Sequence, residues 1–322
     1  MANFTETLFS NNERLPLVIE APSGPTQLAS FIAQERAEID AKLLRHGALL
    51  FRGFDSHNLE DFDAAAHEYS VNRISYTYRS TPRSSVGDRI YTTTEYPAKH
   101  TIPLHNENAY SREWPLQLMF GCLTPSLTEG ATPLADMTKV TQTIDPAVVA
   151  EFAAKKVMYL RHYTEDADIP WQTVFQTESK DEVASFCSAR GIEHQWLDGG
   201  ETLQTRQVCQ GVAVHPTLKQ TVFFNQAHLF HVSSLGEAAA EALIDVFGVD
   251  RLPRNALFGD GTAIPQDTLE HVRDSFQSHS CRFSWSAGDV LLIDNMQVAH
   301  GREPFTGPRK VLAALFNPHV EA

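Results

Sequence analysis

The spacing of apolar and polar residues along the chain predicts a mixture of helices and strands. Segments with one apolar helical face are predicted as helices, and short apolar or aromatic runs bounded by turn residues are predicted as strands. The predicted helices cover residues 34–46, 59–70, 146–155, 180–190, 235–248 and 268–279. The predicted strands cover residues 48–54, 88–96, 118–123, 157–163, 211–216, 221–226, 281–285, 289–295 and 310–316.

The order of these elements favours an α+β fold. Helices and strands do not alternate regularly, which disfavours a doubly wound parallel sheet. Strands near both ends of the chain, with helices grouped between them, indicate an antiparallel core flanked by helices. A double-stranded β-helix, or jelly roll, is the architecture of this kind that we expect. We expect residues 1–322 to form one domain, with a helical insertion at roughly 140–210.

Composition and charge narrow the functional classes. The chain has 322 residues, of which 42% are hydrophobic and 20% are charged, and this composition is ordinary for a globular protein. Its net charge of −14 disfavours nucleic acid and anionic membranes as partners, while a cationic or zwitterionic substrate is compatible with it. The first residues do not resemble a signal peptide, and the four cysteines are far apart, as expected for reduced thiols. We therefore expect a cytoplasmic location.

A short motif, His105-Asn106-Glu107, is the first candidate for chemistry. On an extended strand, side chains at i and i+2 point to the same face, so both residues can approach one ion. An H-x-E motif alone is weak, because it occurs by chance in many chains. With His300 as a third ligand, the set would be the two-histidine, one-carboxylate facial triad of oxygen-activating iron(II) enzymes.

Several blocks of sequence carry a family resemblance that covers most of the chain, from about Gly47 to Phe316. They are GALLFRGF (47–54), HNENAYS (105–111), EGATPLAD (129–136), FNQAHLFH (224–231), GDVLLIDN (288–295), HGR (300–302) and PRKVL (308–312). In this order and spacing, the chain resembles the taurine dioxygenase and clavaminate synthase-like family of iron(II)- and 2-oxoglutarate-dependent dioxygenases. The glutamate in the H-x-E motif matches the residue at this position in the clavaminate synthase-like branch of the family.

The resemblance implies a role for individual residues. His105, Glu107 and His300 match the metal ligands of the family. Arg309, nine residues after His300, matches the arginine that pairs with the distal carboxylate of 2-oxoglutarate, and a guanidinium suits such a bidentate contact. Thr132 matches a threonine that hydrogen-bonds the same carboxylate. Because Glu107 is present, the resemblance implies oxygenation and argues against a halogenase, in which a small residue replaces the carboxylate.

Three further residues are candidates for substrate contact. Tyr110 and Arg112 follow the H-x-E motif and are predicted to line the pocket. Asn225 is either a substrate contact or a buried amide that satisfies strand ends, and the sequence leaves both readings open. Arg302 and Lys310 compete with Arg309 for the cosubstrate because they lie close to it in sequence.

The resemblance also implies cofactors and a substrate class. The cofactors are Fe(II), 2-oxoglutarate and O2, with ascorbate as a reductant in vitro, and the reaction releases succinate and CO2. Ala313 occupies the position at which the taurine enzymes carry a sulfonate-binding arginine. We therefore expect hydroxylation of an unactivated C–H bond in an amino acid or amino-acid-derived small molecule, free or tethered to a carrier protein, in natural-product biosynthesis.

Several alternatives stay open from the sequence. The same cofactor chemistry gives desaturation or cyclisation in some enzymes. A cupin-like metalloenzyme would share the triad but would not use 2-oxoglutarate. A non-catalytic scaffold that binds a carrier protein would need neither the triad nor 2-oxoglutarate. The sequence does not decide the oligomeric state, and a homo-oligomer is possible.

Overall fold

The computed structural model describes residues 4–9, 14–75, 84–93, 96–163 and 168–321. The helices are α1 (Leu28–His46), α2 (Leu59–Tyr69), α3 (Met137–Thr143), α4 (Pro146–Lys155), α5 (Trp171–Phe175), α6 (Lys180–Ala189), α7 (Ala227–Phe230), α8 (Glu237–Phe247) and α9 (Gln266–Ser278). The strands are β1 (Thr5–Leu8), β2 (Leu17–Glu20), β3 (Ala48–Arg52), β4 (Ser85–Gly87), β5 (Ile90–Thr92), β6 (Ile102–His105), β7 (Glu113–Thr124), β8 (Thr128–Glu129), β9 (Thr132–Asp136), β10 (Val157–Tyr163), β11 (Glu193–Leu197), β12 (Thr202–Cys209), β13 (Val212–Val214), β14 (Thr221–Phe223), β15 (Arg254–Phe258), β16 (Ser280–Phe283), β17 (Val290–Asp294), β18 (Val298–Arg302), β19 (Phe305–Thr306) and β20 (Lys310–Val320).

Two mainly antiparallel sheets form the centre of the fold. The larger sheet has the strand order β1-β2-β3-β17-β7-β20-β5-β4, and the smaller has the order β16-β9-β18-β6. Neighbours in both sheets come from distant parts of the chain, so the C-terminal strands β17, β18 and β20 lie between N-terminal ones. This arrangement confirms the predicted α+β fold with a jelly-roll core flanked by helices.

The strand β17 illustrates why the larger sheet forms. All five of its residues, VLLID, are buried, and it pairs with β3 on one side and β7 on the other. Leu291, for example, lies opposite both Leu50 and Phe120. A continuous apolar run is favoured in a strand that is covered on both faces, because either face then removes side chains from water.

The larger sheet is covered on both faces. On one face, Phe120 and Leu291 pack with Leu134 and Phe283 of the smaller sheet in a shared apolar core. On the other face, α1 and α2 pack against the sheet through residues that include Phe31, Ile32, Phe62 and Ala66. The layers therefore follow the order helices, larger sheet, smaller sheet, and the interior between the two sheets is where a jelly roll holds its site.

The predicted insertion at roughly 140–210 is wrong in being described as helical. It contains α4, α5 and α6, but also β10, β11 and β12, which form a third sheet in the order β11-β12-β10-β15. The strand β12 buries three polar residues, Gln204, Thr205 and Gln207, so it lacks the apolar alternation that would have predicted it.

Most other predicted elements are confirmed with shifted ends. The helix at 146–155 and the strand at 157–163 have the predicted bounds, whereas α1 begins at Leu28 and is six residues longer than predicted. The predicted strands at 211–216 and 221–226 correspond to β13 and β14, which pair antiparallel. Part of the predicted strand at 88–96 lies outside the described residues. Within the described part of the chain, no helix is both long and apolar enough to cross a membrane.

Candidate active site

Three side chains from β6, from the residues just after it, and from its neighbour β18 in the smaller sheet converge on one point. His105 is the last residue of β6, Glu107 follows two residues later, and His300 is the central residue of β18. The strands pair antiparallel with His300 directly opposite His105. One ligand atom from each of the three side chains lies within 4.8 Å of the others, and His300 Nε2 is 3.9 Å from Glu107 Oε2. This spacing is compatible with a single metal ion between them.

Neighbouring groups orient the two imidazoles. His105 Nδ1 lies 2.8 Å from the Pro103 carbonyl oxygen, and a proton on Nδ1 donated to that oxygen leaves Nε2 as the atom that could bind a metal. The His300 ring packs against Phe120 with 5.1 Å between ring centroids, and it lies 4.5 Å from the His105 ring. Glu107 and His300 are buried. The triad is therefore held in a site with few rotamers available to it.

A cavity of about 470 Å³ opens beside the triad. Its walls combine apolar side chains with a few polar groups, and the lining residues are Thr93, Ile102, His105, Phe120, Thr132, Trp285, His300, Gly301, Arg302, Arg309 and Val311. Thr132 Oγ1 accepts a hydrogen bond of 2.8 Å from Trp285 Nε1, so its own hydroxyl proton remains to be donated. The cavity thus brings two histidines of the triad together with Thr132 and Arg309.

Among the cavity residues, Arg309 has the most unusual electrostatic environment. Its Nε atom is buried and has no hydrogen-bond partner, and the guanidinium forms no salt bridge with any described residue. Burial lowers the pKa of Arg309 to about 10. A partly buried cation that lacks an anion is costly, and an incoming carboxylate would offset that cost. With the facial triad beside it, the residues present fit a metal ion together with an anionic chelator such as 2-oxoglutarate.

The two arginines of the cavity differ in what they already bind. Arg302 donates hydrogen bonds to the carbonyl oxygens of Tyr96, Pro97 and His100, and so it ties the segment before β6 to β18. Its terminal nitrogens are occupied by the protein itself. Lys310 is exposed. Of the three neighbouring cations, Arg309 is the one whose surroundings favour an external carboxylate.

The three substrate candidates lie away from this cavity. Tyr110 is buried against Phe230, with 5.1 Å between ring centroids, and it lines a second cavity, which is bordered by Asn108. Arg112 is exposed, and its Nε donates to the Val208 carbonyl oxygen.

Asn225 is 1% exposed, and its amide is engaged with the backbone at both ends. It donates to the Gly211 carbonyl oxygen and accepts from the Ala227 N–H. These contacts are those of the buried structural amide, the other reading that the sequence left open. Contact of Tyr110, Arg112 or Asn225 with substrate stays a prediction.

Two contributors to the site were missed from the sequence. Trp285 fixes Thr132, and Asn295 hydrogen-bonds the backbone of Glu107. Trp285 and Asn295 each end a predicted strand, but nothing in their local sequence connects either to the H-x-E motif, which lies more than 170 residues earlier.

Comparison with known proteins agrees with this geometry. Residues 12–315 match the model of the family "Taurine catabolism dioxygenase TauD, TfdA family". The chain is 39% identical over 280 residues to the dapdiamide synthesis protein DdaC of Enterobacter agglomerans, which covers 87% of this chain and 85% of that protein. It is 28% identical over 318 residues to a clavaminate synthase-like protein of Arabidopsis thaliana, covering 93% of each.

Two known structures share the fold. PvcB of Pseudomonas aeruginosa has a TM-score of 0.57 at 15% identity, covering 100% of this chain and 92% of PvcB. AAD-2, crystallised with Mn(II) and N-oxalylglycine, has a TM-score of 0.57 at 12% identity, covering 97% of this chain and 96% of AAD-2. At these identities the likeness concerns the fold alone. The match over residues 12–315 shows more: the chain belongs to the TauD/TfdA family and is a dioxygenase that depends on iron(II) and 2-oxoglutarate.

Proposed function

We propose that His105, Glu107 and His300 hold the iron, and that Arg309 and Thr132 bind the distal carboxylate of 2-oxoglutarate. The observation that carries this proposal is the convergence of the triad at a cavity whose partly buried guanidinium, that of Arg309, has no acidic partner among the described residues. When bound, the iron and its cosubstrate supply the oxidising power for attack on an unactivated C–H bond.

The protein's own residues do the positioning. The guanidinium and the Thr132 hydroxyl orient the cosubstrate from one end, and the triad does so from the other. Ile102, Phe120 and Val311 form apolar walls of the cavity. Apolar walls exclude water, which strengthens the ionic contact of Arg309 and protects reactive species from side reactions.

For the substrate, we propose an amino acid or an amino-acid-derived small molecule that gains a hydroxyl group. Similarity to a dapdiamide synthesis protein supports a role in making small molecules of this kind. Ala313, at the position of the sulfonate-binding arginine in taurine enzymes, is buried in β20 opposite Phe120 and offers no charge to a sulfonate. The net charge of −14 is compatible with a substrate that carries an ammonium group.

The domain organisation and the presentation of the substrate complete the proposal. We propose one catalytic domain over residues 1–322, in which the segment at roughly 140–210 is an insertion of mixed helix and strand. A free amino acid and one tethered to a carrier protein present the same C–H bonds. Delivery of the substrate on a carrier protein is therefore part of the hypothesis to be tested.

The test is a substrate screen with purified protein, Fe(II), ascorbate, 2-oxoglutarate and O2. Amino acids are offered free and as carrier-protein thioesters, while succinate and product mass are measured. The expected product is heavier by one oxygen atom, and H105A should form neither product nor succinate. A product lighter by two hydrogen atoms would indicate desaturation or cyclisation instead of hydroxylation. Absence of succinate with every amino acid, free or tethered, would contradict the proposed substrate class.

A further inference from the structure

The carboxylate of the triad follows the end of a strand, so its backbone needs another support. The strand β6 ends at His105, two residues before Glu107. The side chain of Asn295 takes the place of a neighbouring strand. Glu107 N–H donates to Asn295 Oδ1 at 2.7 Å, and Asn295 Nδ2 donates back to the Glu107 carbonyl oxygen at 2.9 Å. This exchange has the pattern of a hydrogen-bonded pair in an antiparallel ladder.

The contact is reinforced on both sides. Asn295 Nδ2 also donates to the Pro115 carbonyl oxygen at 2.9 Å, and Asn106 Nδ2 donates to the Asn295 carbonyl oxygen at 2.6 Å. Gln226 Nε2 donates to the Asn106 carbonyl oxygen at 2.6 Å. Asn106 and Asn295 are 0% exposed. Since no water competes for these bonds, the backbone on either side of Glu107 has one favoured arrangement.

The turn that carries Asn295 is itself anchored. Asp294 Oδ1 accepts from the backbone N–H groups of Met296 and Gln297 at 3.0 and 3.1 Å. Asp294 Oδ2 accepts from His215 Nε2 at 2.9 Å, because His215 Nδ1 is engaged as an acceptor for two backbone N–H groups of its own hairpin. The position of Asn295 is therefore fixed by contacts from outside the metal site.

We infer that Asn295 is a positioning residue for the metal centre, and that it acts by fixing the backbone of Glu107, with Gln226 as a weaker second support through Asn106. This inference rests on the proposed role of the triad as the metal site. A ligand held in its binding geometry before the metal arrives loses less conformational freedom on binding. Removing the support should therefore weaken metal affinity even though no ligand atom changes.

The experiment is a titration of the metal-free protein with Mn(II), in which free Mn(II) is followed by electron paramagnetic resonance. We expect N295A to raise the Kd for Mn(II) by about 10- to 100-fold, the range typical of residues that orient ligands. Q226M keeps the length of the side chain and removes the donor to Asn106, and it should shift the Kd in the same direction by less. Circular dichroism and urea unfolding establish that each variant is folded.

The matched control is N255A. Asn255 is also buried, and its Oδ1 accepts from the backbone N–H groups of Val232 and Ala256, but it lies in β15 and does not contact the triad. N255A should bind Mn(II) like the wild type. An equal loss in N255A would show general loosening of the fold and would overturn the inference.

The remaining outcomes separate the inference from the proposed function. Wild-type affinity in folded N295A would overturn the inference. If N295A does not fold, Q226M decides, and unchanged affinity in that variant overturns it. H105A tests the metal site itself. If H105A binds Mn(II) as tightly as the wild type, the proposed site is wrong, whatever the Asn295 variant does.

Discussion

The Arg309 guanidinium permits a sharp test of cosubstrate binding, because in the described part of the chain it has neither the carbonyl acceptors that engage Arg302 nor an acidic partner. It lies 5.5 Å above the Phe305 ring and has no carboxylate partner there. Although burial lowers its pKa to about 10, the side chain remains charged near pH 7. The perturbation is R309Q, which removes the charge but keeps hydrogen-bonding atoms in the cavity.

The expected loss follows from the electrostatics of a partly buried pair. Two unit charges about 4 Å apart interact by about 4 kcal/mol at an effective dielectric constant of about 20. Desolvation of the incoming carboxylate offsets part of this attraction, which leaves a net contribution of about 2–4 kcal/mol. R309Q should therefore weaken 2-oxoglutarate binding roughly 30- to 700-fold, since about 1.4 kcal/mol corresponds to tenfold. The 2-oxoglutarate affinity of R309K should lie between those of R309Q and the wild type, because an ammonium keeps the charge but cannot bind in a bidentate manner.

Isothermal titration calorimetry of 2-oxoglutarate into the Mn(II)-loaded protein measures this loss without knowledge of the substrate. The Mn(II) affinity of R309Q should equal that of the wild type, because Arg309 is not among the proposed ligands. K310Q is the matched control, since it removes a neighbouring positive charge that is exposed. Wild-type 2-oxoglutarate affinity in R309Q would refute the reasoning, and so would an equal loss in K310Q, which would indicate a general effect of positive charge.

Three further changes test the framework around the site. G301A should destabilise the fold by about 1–3 kcal/mol in urea unfolding, because its Cβ would lie 2.6 Å from the Ile102 carbonyl oxygen, while G87A meets only ordinary contacts and should change little. Burial lowers the pKa of His228 to about 4, so the unfolded state binds the extra proton first as pH falls. Stability should drop by about 3 kcal/mol between pH 6.5 and 4, and H228Q should flatten that dependence in urea unfolding at several pH values. D168N should cost about 3–5 kcal/mol in the same assay, because the carboxylate is buried between two arginines, and a loss below 1 kcal/mol would contradict this.

The sequence predicts those elements whose side-chain pattern is determined locally. The helix α4 begins with Asp145 as N-cap and proline at the first helical position, and its bounds are as predicted. The strand β12 was missed because tertiary pairing determines its burial. It pairs with β10 and β11, and these neighbours bury Gln204 and Gln207, residues that favour the surface. The predicted helical character of the insertion failed for the same reason.

Some residues of the candidate site are likewise recognisable from the sequence, and others only from the structure. His105 and Glu107 are recognisable from residue type and strand periodicity, and His300 and Arg309 from family spacing. The family resemblance favours Arg309 for the cosubstrate, but the residue types alone leave Arg302 as a rival, since both are arginines close to His300. The hydrogen bonds of Arg302 to three backbone carbonyls make that distinction, and they depend on where the segment before β6 runs in space.

Asn295 marks the limit of inference from sequence alone. An Asp-Asn pair after an apolar strand is typical of a turn. The predicted strand at 289–295 included both residues, whereas β17 ends at Asp294 and a turn follows it. The second role of Asn295 arises because β17 pairs with β7, which places the Asn295 N–H 2.9 Å from the Leu116 carbonyl oxygen and its side chain beside Glu107. The proposed metal ligands can be predicted because chemistry restricts their residue types. A residue that fixes their backbone needs only a donor and an acceptor in the right place, and the topology of the sheets alone determines that place.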